Sequence, residues 1–271
     1  MSSKQIVILD NKEIASGYFL MKLSSSHTAR NAFPGQFLHI KCSTNNNLLL
    51  RRPLSIHRII NKKYVEILYK VVGKGTNYLS KKEKGEKIDC LGPLGNGFQL
   101  PKDQRPKTKD RRLLVAGGIG IAPLIFLTEK LIKSASCIPK SKIAVFMGAK
   151  TKDEILCVKE LNKLGVELHI ATEDGSMGYK GLVSELLKNQ LSTINYKPSA
   201  SIYACGPKGM LKEVALLSKK HKIPCQVSFE QFMGCGIGIC NACVIKTKQG
   251  YKRVCKDGPV FWAEEIDWEK I

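Results

Sequence analysis

Residues 234–243 read GCGIGICNAC, and a fourth cysteine follows twelve residues later in RVCKDGP. Cys235, Cys240 and Cys243 therefore have C-x4-C-x2-C spacing, with Cys255 available as a distant fourth thiolate, the pattern of a plant-type [2Fe–2S] site. A chain built this way must wrap its backbone closely round a bulky inorganic group. Gly236 and Gly238 permit that approach and let amide N–H groups aim at sulfur, where side chains would obstruct them. A structural zinc site also takes four thiolates. Zinc sites favour paired C-x2-C knuckles, however, and a single one is present. The spacing favours iron–sulfur, with zinc as the alternative.

The other six cysteines, Cys42, Cys90, Cys137, Cys157, Cys205 and Cys225, are scattered and read mostly as small buried hydrophobes. The N-terminal MSSKQIVILDNKE is polar and does not resemble a signal peptide. Cysteines in such a chain argue against a disulfide framework and for a cytoplasmic protein. The longest apolar run, LLVAGGIGIAPLIFL, is 15 residues and broken by glycine and proline, too short to span a membrane. A formal net charge of +21 invites a nucleic-acid reading. The lysines are spread along the whole chain, though, without an aromatic-interleaved basic motif, so the charge reads as a solvated surface. KKEKGEK at 81–87 has the composition of a solvated turn, and KDQRPKTKDRR at 102–112 that of an interdomain linker.

With 271 residues there is room for two modest domains and an appendix. The first hundred residues carry QIVILD, GYFLMKLS, QFLHIKC, LSIHRII and YVEILYKVV, short β-forming runs between turn residues, which predict a barrel. After residue 111 the rhythm changes. RRLLVAGGIG, KIAVFMGA, VELHIAT and SIYACG read as strands, alternating with helical APLIFLTEKLIKSA, KDEILCVKELNKLG and PKGMLKEVALLSKKH. Such alternation predicts a parallel α/β sheet. The fold class is thus α+β multidomain: an antiparallel β-barrel at 1–103, a parallel α/β domain at 111–224 and a small cysteine-rich domain at 225–271.

Four further motifs suit ligands. RRPLSI at 51–56 offers arginine and hydroxyl groups on a proline-fixed backbone, able to grip a phosphate and a planar ring. GKGTNYLS presents Gly73, Gly75 and Thr76 at a helix start, where free N–H groups suit a pyrophosphate. In VAGGIGIAPL, Gly117, Gly118 and Gly120 allow close approach of a nucleotide after a strand, with Pro123 in the first helical turn, although the G-x-G-x-x-G spacing is absent. YACGPKGM repeats that strand–turn–helix pattern with Cys205 and Gly206 at the carboxyl edge of the sheet. Glu173 and Asp174 follow another strand; beside an adenosine ribose they would favour NAD over NADP.

Taken in order, RRPLSI, GKGT, GGIGIAPL and YACGPKGM resemble the ferredoxin–NADP reductase superfamily, and the ending CGIGICNAC…VCKDGPVF resembles the electron-transfer subunits of class 1B, NAD-dependent dihydroorotate dehydrogenases. The resemblance implies an FAD-binding barrel, a nicotinamide-binding domain and a [2Fe–2S] domain. It implies that Arg52, Pro53, Leu54 and Ser55 contact the flavin, with Ser55 near N5, and that Leu68, Tyr69 and Lys70 lie along FAD. Gly75 and Thr76 would hold the pyrophosphate. Gly117, Gly118, Gly120, Cys205 and Gly206 would frame the nicotinamide of NAD, and Cys235, Cys240, Cys243 and Cys255 would ligate the cluster. The implied partner is an FMN-containing dihydroorotate dehydrogenase catalytic subunit, in a heterotetramer with two of each, and no nucleic acid or membrane is involved. No residue of this chain would act as general acid or base. The alternative is a related reductase subunit serving another flavoprotein, of the ferredoxin:NADP oxidoreductase or sulfide dehydrogenase type. Where relatives carry Glu-Glu-Arg before the cluster, this chain has Glu230, Gln231 and Phe232.

Overall fold

The computed structural model describes residues 4–43, 48–100, 111–133, 139–193 and 200–271. In the first domain, β1 (Lys4–Ala15), β2 (Tyr18–Ser24), α1 (Ser26–Asn31), β3 (Phe37–Lys41), β4 (Arg52–Ile60), β5 (Tyr64–Lys70), α2 (Lys74–Ser80) and β6 (Lys87–Leu94) follow in sequence. The six strands close into an antiparallel barrel in the order β1-β2-β5-β4-β3-β6. Their inward residues, among them Ile8, Met21, Leu38, Ile56 and Ile67, are wholly buried. The barrel's sixth strand has no counterpart among the five expected runs. Asp89, Gly92 and Pro93 disguise β6 in the sequence, yet without it β1 and β3 would both expose unpaired edges.

The second domain comprises β7 (Arg112–Gly117), α3 (Ile121–Lys133), β8 (Ile143–Ala149), α4 (Val158–Leu164), β9 (Glu167–Thr172), β10 (Tyr179–Lys180), α5 (Val183–Thr193), β11 (Ser201–Cys205), α6 (Lys208–His221) and β12 (Cys225–Ser228). A hairpin of β13 (Val244–Thr247) and β14 (Gly250–Arg253) precedes β15 (Val260–Trp262). The large sheet has order β10-β9-β8-β7-β11-β12-β15, parallel except where β15 runs antiparallel to β12. Two expectations meet a different structure. The helix read over KDEILCVKELNKLG is broken: a 3-10 turn spans Lys152–Glu154, and α4 begins only after Cys157. The division at 225 also falls differently in space, because β12 pairs with β11 and β15 pairs with β12. The cysteine-rich loop and hairpin are therefore an excursion between two strands of the α/β sheet. Of the linker read at 102–112, all but Arg111 and Arg112 lie outside the described residues, as does Cys137.

The two domains share a core. Tyr18 and Leu68 of the barrel pack in one buried cluster with Leu114, Ile121 and Leu124 of the α/β domain. No helix among the described residues is long and apolar enough to cross a membrane.

Candidate functional site

In the loop from Met233 to Cys243, Gly236 and Gly238 adopt φ of 71° and 84°, left-handed backbone that glycine adopts without steric cost. The turns aim amides at sulfur. The Cys235 Sγ accepts the N–H groups of Ile239 at 3.3 Å, Cys240 at 3.4 Å and Ile237 at 3.5 Å. The Cys240 Sγ accepts the Cys235 N–H at 3.4 Å, and the Cys243 Sγ that of Cys255 at 3.4 Å. Burial pushes the Cys235 thiol up, but the amides of Cys240, Ile237 and Ile239 outweigh it and bring the thiol down to about 6. Cys255 goes the other way, pushed up to about 12 by burial and by the neighbouring Cys243 thiol. Two thiol pairs, Cys235 with Cys240 and Cys243 with Cys255, with amide donors aimed at their sulfurs, fit an iron–sulfur cluster, whose sulfurs take such hydrogen bonds.

The loop is anchored on both sides. Arg253 grips it from the hairpin, donating to the Gly238 carbonyl at 2.9 Å while its Nε and Nη2 hold Asp257 at 3.0 and 3.2 Å. Asn96, just beyond β6, donates to the carbonyls of Lys256 and Asp257 at 3.1 and 3.2 Å. On the barrel side, a β-carbon at Gly236 would overlap Nδ1 of His39. His39 lies on β3 opposite Pro53 of β4, wholly buried, and burial followed by the Arg51 charge pushes its pKa down to about 4. This neutral imidazole is the spacer between the cysteine loop and the RRPLSI strand. Sequence reasoning missed it, because a histidine in FLHIK has no local mark separating it from an ordinary barrel residue.

Arg51 and Arg52 divide their work. Arg51 is bidentate to Asp89 at 2.9 and 3.0 Å and holds the barrel together. Arg52 instead folds across the start of α2, so close that a β-carbon at Gly75 would lie 2.8 Å from its Nε. The guanidinium and the glycine turn make one cationic cradle of the kind a pyrophosphate needs. The Thr76 hydroxyl accepts the Val72 and Gly73 N–H groups at 2.9 and 3.3 Å, so it shapes the turn. Pro53, Leu54 and Ser55 follow on β4, each half-buried. The β5 residues separate. The Tyr69 ring points into the barrel, where it stacks on Phe19 and its hydroxyl donates to Asn11 at 3.1 Å. Leu68 is buried in the interdomain core, and Lys70 holds Glu154 of the α/β domain at 2.9 Å.

The sheet order explains the glycine turns. From β7 the chain winds outward through β8 and β9, then returns to lay β11 on the other side of β7. Ligands of open α/β sheets bind at such a reversal, beyond the carboxyl ends of the strands. Gly117 ends β7 there with Gly118 and Gly120 following, and Cys205 ends β11 with Gly206 following. The two turns interlock: a β-carbon at Gly120 would overlap the Cys205 carbonyl, and one at Gly117 would lie 2.6 Å from Pro207 Cδ. Burial pushes the Cys205 thiol up, so it stays neutral. In the loop after β9, the Asp174 carboxylate accepts the Ser176 hydroxyl at 2.6 Å and the Ser176 N–H at 2.9 Å, leaving Glu173 exposed beside it.

A barrel with a cationic cradle, an α/β domain with a glycine-lined switch point and a loop and hairpin bearing four cysteines define an electron-transfer oxidoreductase of the ferredoxin reductase type. Residues 230–267 match the family pattern for the iron–sulfur cluster binding domain of dihydroorotate dehydrogenase B, and residues 114–215 that for the oxidoreductase NAD-binding domain. A Desulforamulus reducens protein described as the electron transfer subunit of dihydroorotate dehydrogenase B (NAD(+)) is 40% identical, over 94% of this chain and 95% of its own length. A Geobacillus protein of the same description is 39% identical over 98% and 99%. The chain belongs to this family of dihydroorotate dehydrogenase B electron transfer subunits. Among solved structures, an NADH-dependent reduced ferredoxin-NADP oxidoreductase aligns with TM-score 0.83 at 31% identity, covering 98% of this chain and 91% of that one. A Neisseria gonorrhoeae ferredoxin NADP+ reductase with bound FAD and NADP aligns with TM-score 0.65 at 18% identity, covering 82% and 92%, a likeness of fold alone.

Proposed function

We propose that this chain relays reducing equivalents from an FMN-containing dihydroorotate dehydrogenase catalytic subunit to NAD+, in an assembly of two copies of each subunit. Cys235, Cys240, Cys243 and Cys255 would hold [2Fe–2S]. Arg52, Gly75 and β4 through Ser55 would hold FAD, and the Gly117–Gly120 and Cys205–Gly206 turns would hold NAD. When bound, these groups supply one-electron exchange on the cluster side, hydride exchange on the nicotinamide side, and a flavin capable of both.

The chain's own residues place and insulate. The amides of Ile237, Ile239 and Cys240 stabilise negative charge on sulfur. Arg253 fixes the loop to the hairpin, and Asn96 fixes the turn at Lys256 and Asp257, just after Cys255, to the barrel. His39 keeps the contact between loop and barrel dry and neutral. Phe232, just before that loop, and Ile239, on it, are 94% and 75% exposed. Exposed apolar side chains around a redox loop suit a docking face for the catalytic subunit.

The observation that carries this reading is the packing of the cysteine loop, at Gly236, against β3, one strand from RRPLSI. The experiment is dihydroorotate-dependent NAD+ reduction by the chain with its co-purifying protein, run beside NADP+. NADH formation, with little NADPH, supports partner, reaction and cofactor preference together. NADH-reducible flavin and cluster without any response to dihydroorotate would overturn the partner and favour a reductase subunit serving another flavoprotein.

A further inference from the structure

Cys157, outside the redox loop, sits just before α4 with φ 61° and ψ 15°. A residue with a β-carbon is held in left-handed backbone at a cost on the order of 1–3 kcal/mol, and only where its surroundings impose it. Here the surroundings are the junction between the domains. A ring nitrogen of His57, the Cys157 Sγ and a carboxylate oxygen of Glu160 all lie within 4.8 Å of one another. His57 comes from β4 of the barrel; Cys157 and Glu160 come from the α/β domain.

The histidine is set up for a ligand. Its Nδ1 lies 3.0 Å from the Ala122 carbonyl oxygen, and since a carbonyl only accepts, Nδ1 carries the proton. The lone pair is then on Nε2, which is buried without a hydrogen-bond partner among the described residues. A metal-binding imidazole has this arrangement, its far nitrogen donating to a backbone carbonyl that fixes ring and tautomer. The charges point the same way. Arg58 faces Glu129 at 2.7 Å, Glu160 at 3.5 Å and Glu66 at 3.6 Å. Three carboxylates thus share one guanidinium, with Lys22 bearing on Glu66, and the Glu66 Oε2 is buried without a hydrogen bond. The junction is short of positive charge.

We propose that His57 Nε2, Cys157 Sγ and the Glu160 carboxylate bind a divalent cation of the zinc type, which clamps the barrel to the α/β domain. Mixed nitrogen, sulfur and oxygen donors suit zinc, whereas magnesium and calcium take oxygen alone. Three protein ligands leave one position for water. The cation would ionise the Cys157 thiol, which burial and the Glu160 carboxylate otherwise push up. It would cross-link the strand that carries RRPLSI to the helix that carries Glu160, setting the angle between the domains. The site is separate from Cys235, Cys240, Cys243 and Cys255 and uses none of them.

The test is equilibrium dialysis of the purified holoprotein against micromolar Zn2+, with zinc, iron and flavin counted per chain. The expected result is one zinc in addition to the iron. Cys157→Ser and His57→Gln should each weaken zinc binding at least about tenfold, with iron and flavin contents unchanged. Zinc-edge X-ray absorption on the unaltered protein gives a reading that needs no variant to fold. One sulfur at about 2.3 Å with nitrogen and oxygen at about 2.0 Å supports the site. A four-sulfur shell, or no retained zinc, overturns it.

Discussion

Gly236 of the cysteine loop lies against the His39 imidazole of β3 so closely that a β-carbon at 236 would overlap Nδ1. The loop is thus moulded onto β3, the strand paired with the one that carries RRPLSI. Gly236→Ala adds both this overlap and a left-handed alanine, together about 1–3 kcal/mol. Iron content and the visible cluster spectrum should fall sharply, while FAD stays bound. Full iron loading in the variant would show that the contact does not shape the site.

Cys240 is the exposed member of the four thiols. Cys240→Ser should abolish electron transfer between the partner and FAD while NADH still reduces the flavin. Stopped-flow absorbance of the two half-reactions separates them. Retained dihydroorotate-driven NAD+ reduction in this variant would sink the relay.

Arg52 and Arg51 are neighbours with different duties, and their variants should differ in kind. Arg52→Ala removes a charge-assisted contact worth about 1.5–3 kcal/mol, so FAD affinity should fall roughly 10- to 150-fold with thermal stability little changed. Arg51→Ala strips Asp89 of its bidentate partner and should lower the unfolding midpoint instead. Flavin fluorescence on dilution and a melting curve distinguish the two.

Phe232→Asp combined with Ile239→Asp should prevent association with the catalytic subunit without loss of iron or FAD, as read by size-exclusion chromatography. Both side chains are exposed, so their replacement leaves the chain's own packing intact. Unchanged co-elution would move the docking face elsewhere.

Lys70 and Glu154 join the domains, and their pH dependence has a definite sign. The Lys70 hydrogen bond holds the Glu154 carboxyl below its usual range, so its contribution is present at neutral pH and is lost as pH falls below about 4.5. Lys70 is held above its usual range by hydrogen bonds with Tyr18 and Glu154, so its share is lost only as pH rises past about 10.5. For so exposed a pair the whole effect is about 0.2–1 kcal/mol. Urea unfolding of the parent and Glu154→Gln should show a stability gap at pH 7 that narrows as the pH falls through the carboxylate range and the Glu154 carboxyl takes up its proton.

Much of this was legible along the chain because it is local. Cysteine spacing, glycine turns and the period of apolar residues are set by a few consecutive residues, so the cysteine pattern, five barrel strands and the β–α alternation could be read directly. Strand β6 could not, since Asp89, Gly92 and Pro93 break its pattern and only barrel closure demands it. Other features depend on residues far apart in sequence. The reversal of strand order that places Gly120 beside Cys205 is a property of the sheet. The inward turn of Tyr69, the division between Arg51 and Arg52, and the burial of His39 under Gly236 were likewise decided by packing. The same is true of the meeting of His57 with Cys157 and Glu160. Sequence by itself determined which groups the chain brings to redox chemistry. Tertiary structure decided which of them meet, because a side chain's direction and its neighbours are set by closing the barrel and docking the sheet, and no short window of residues encodes either.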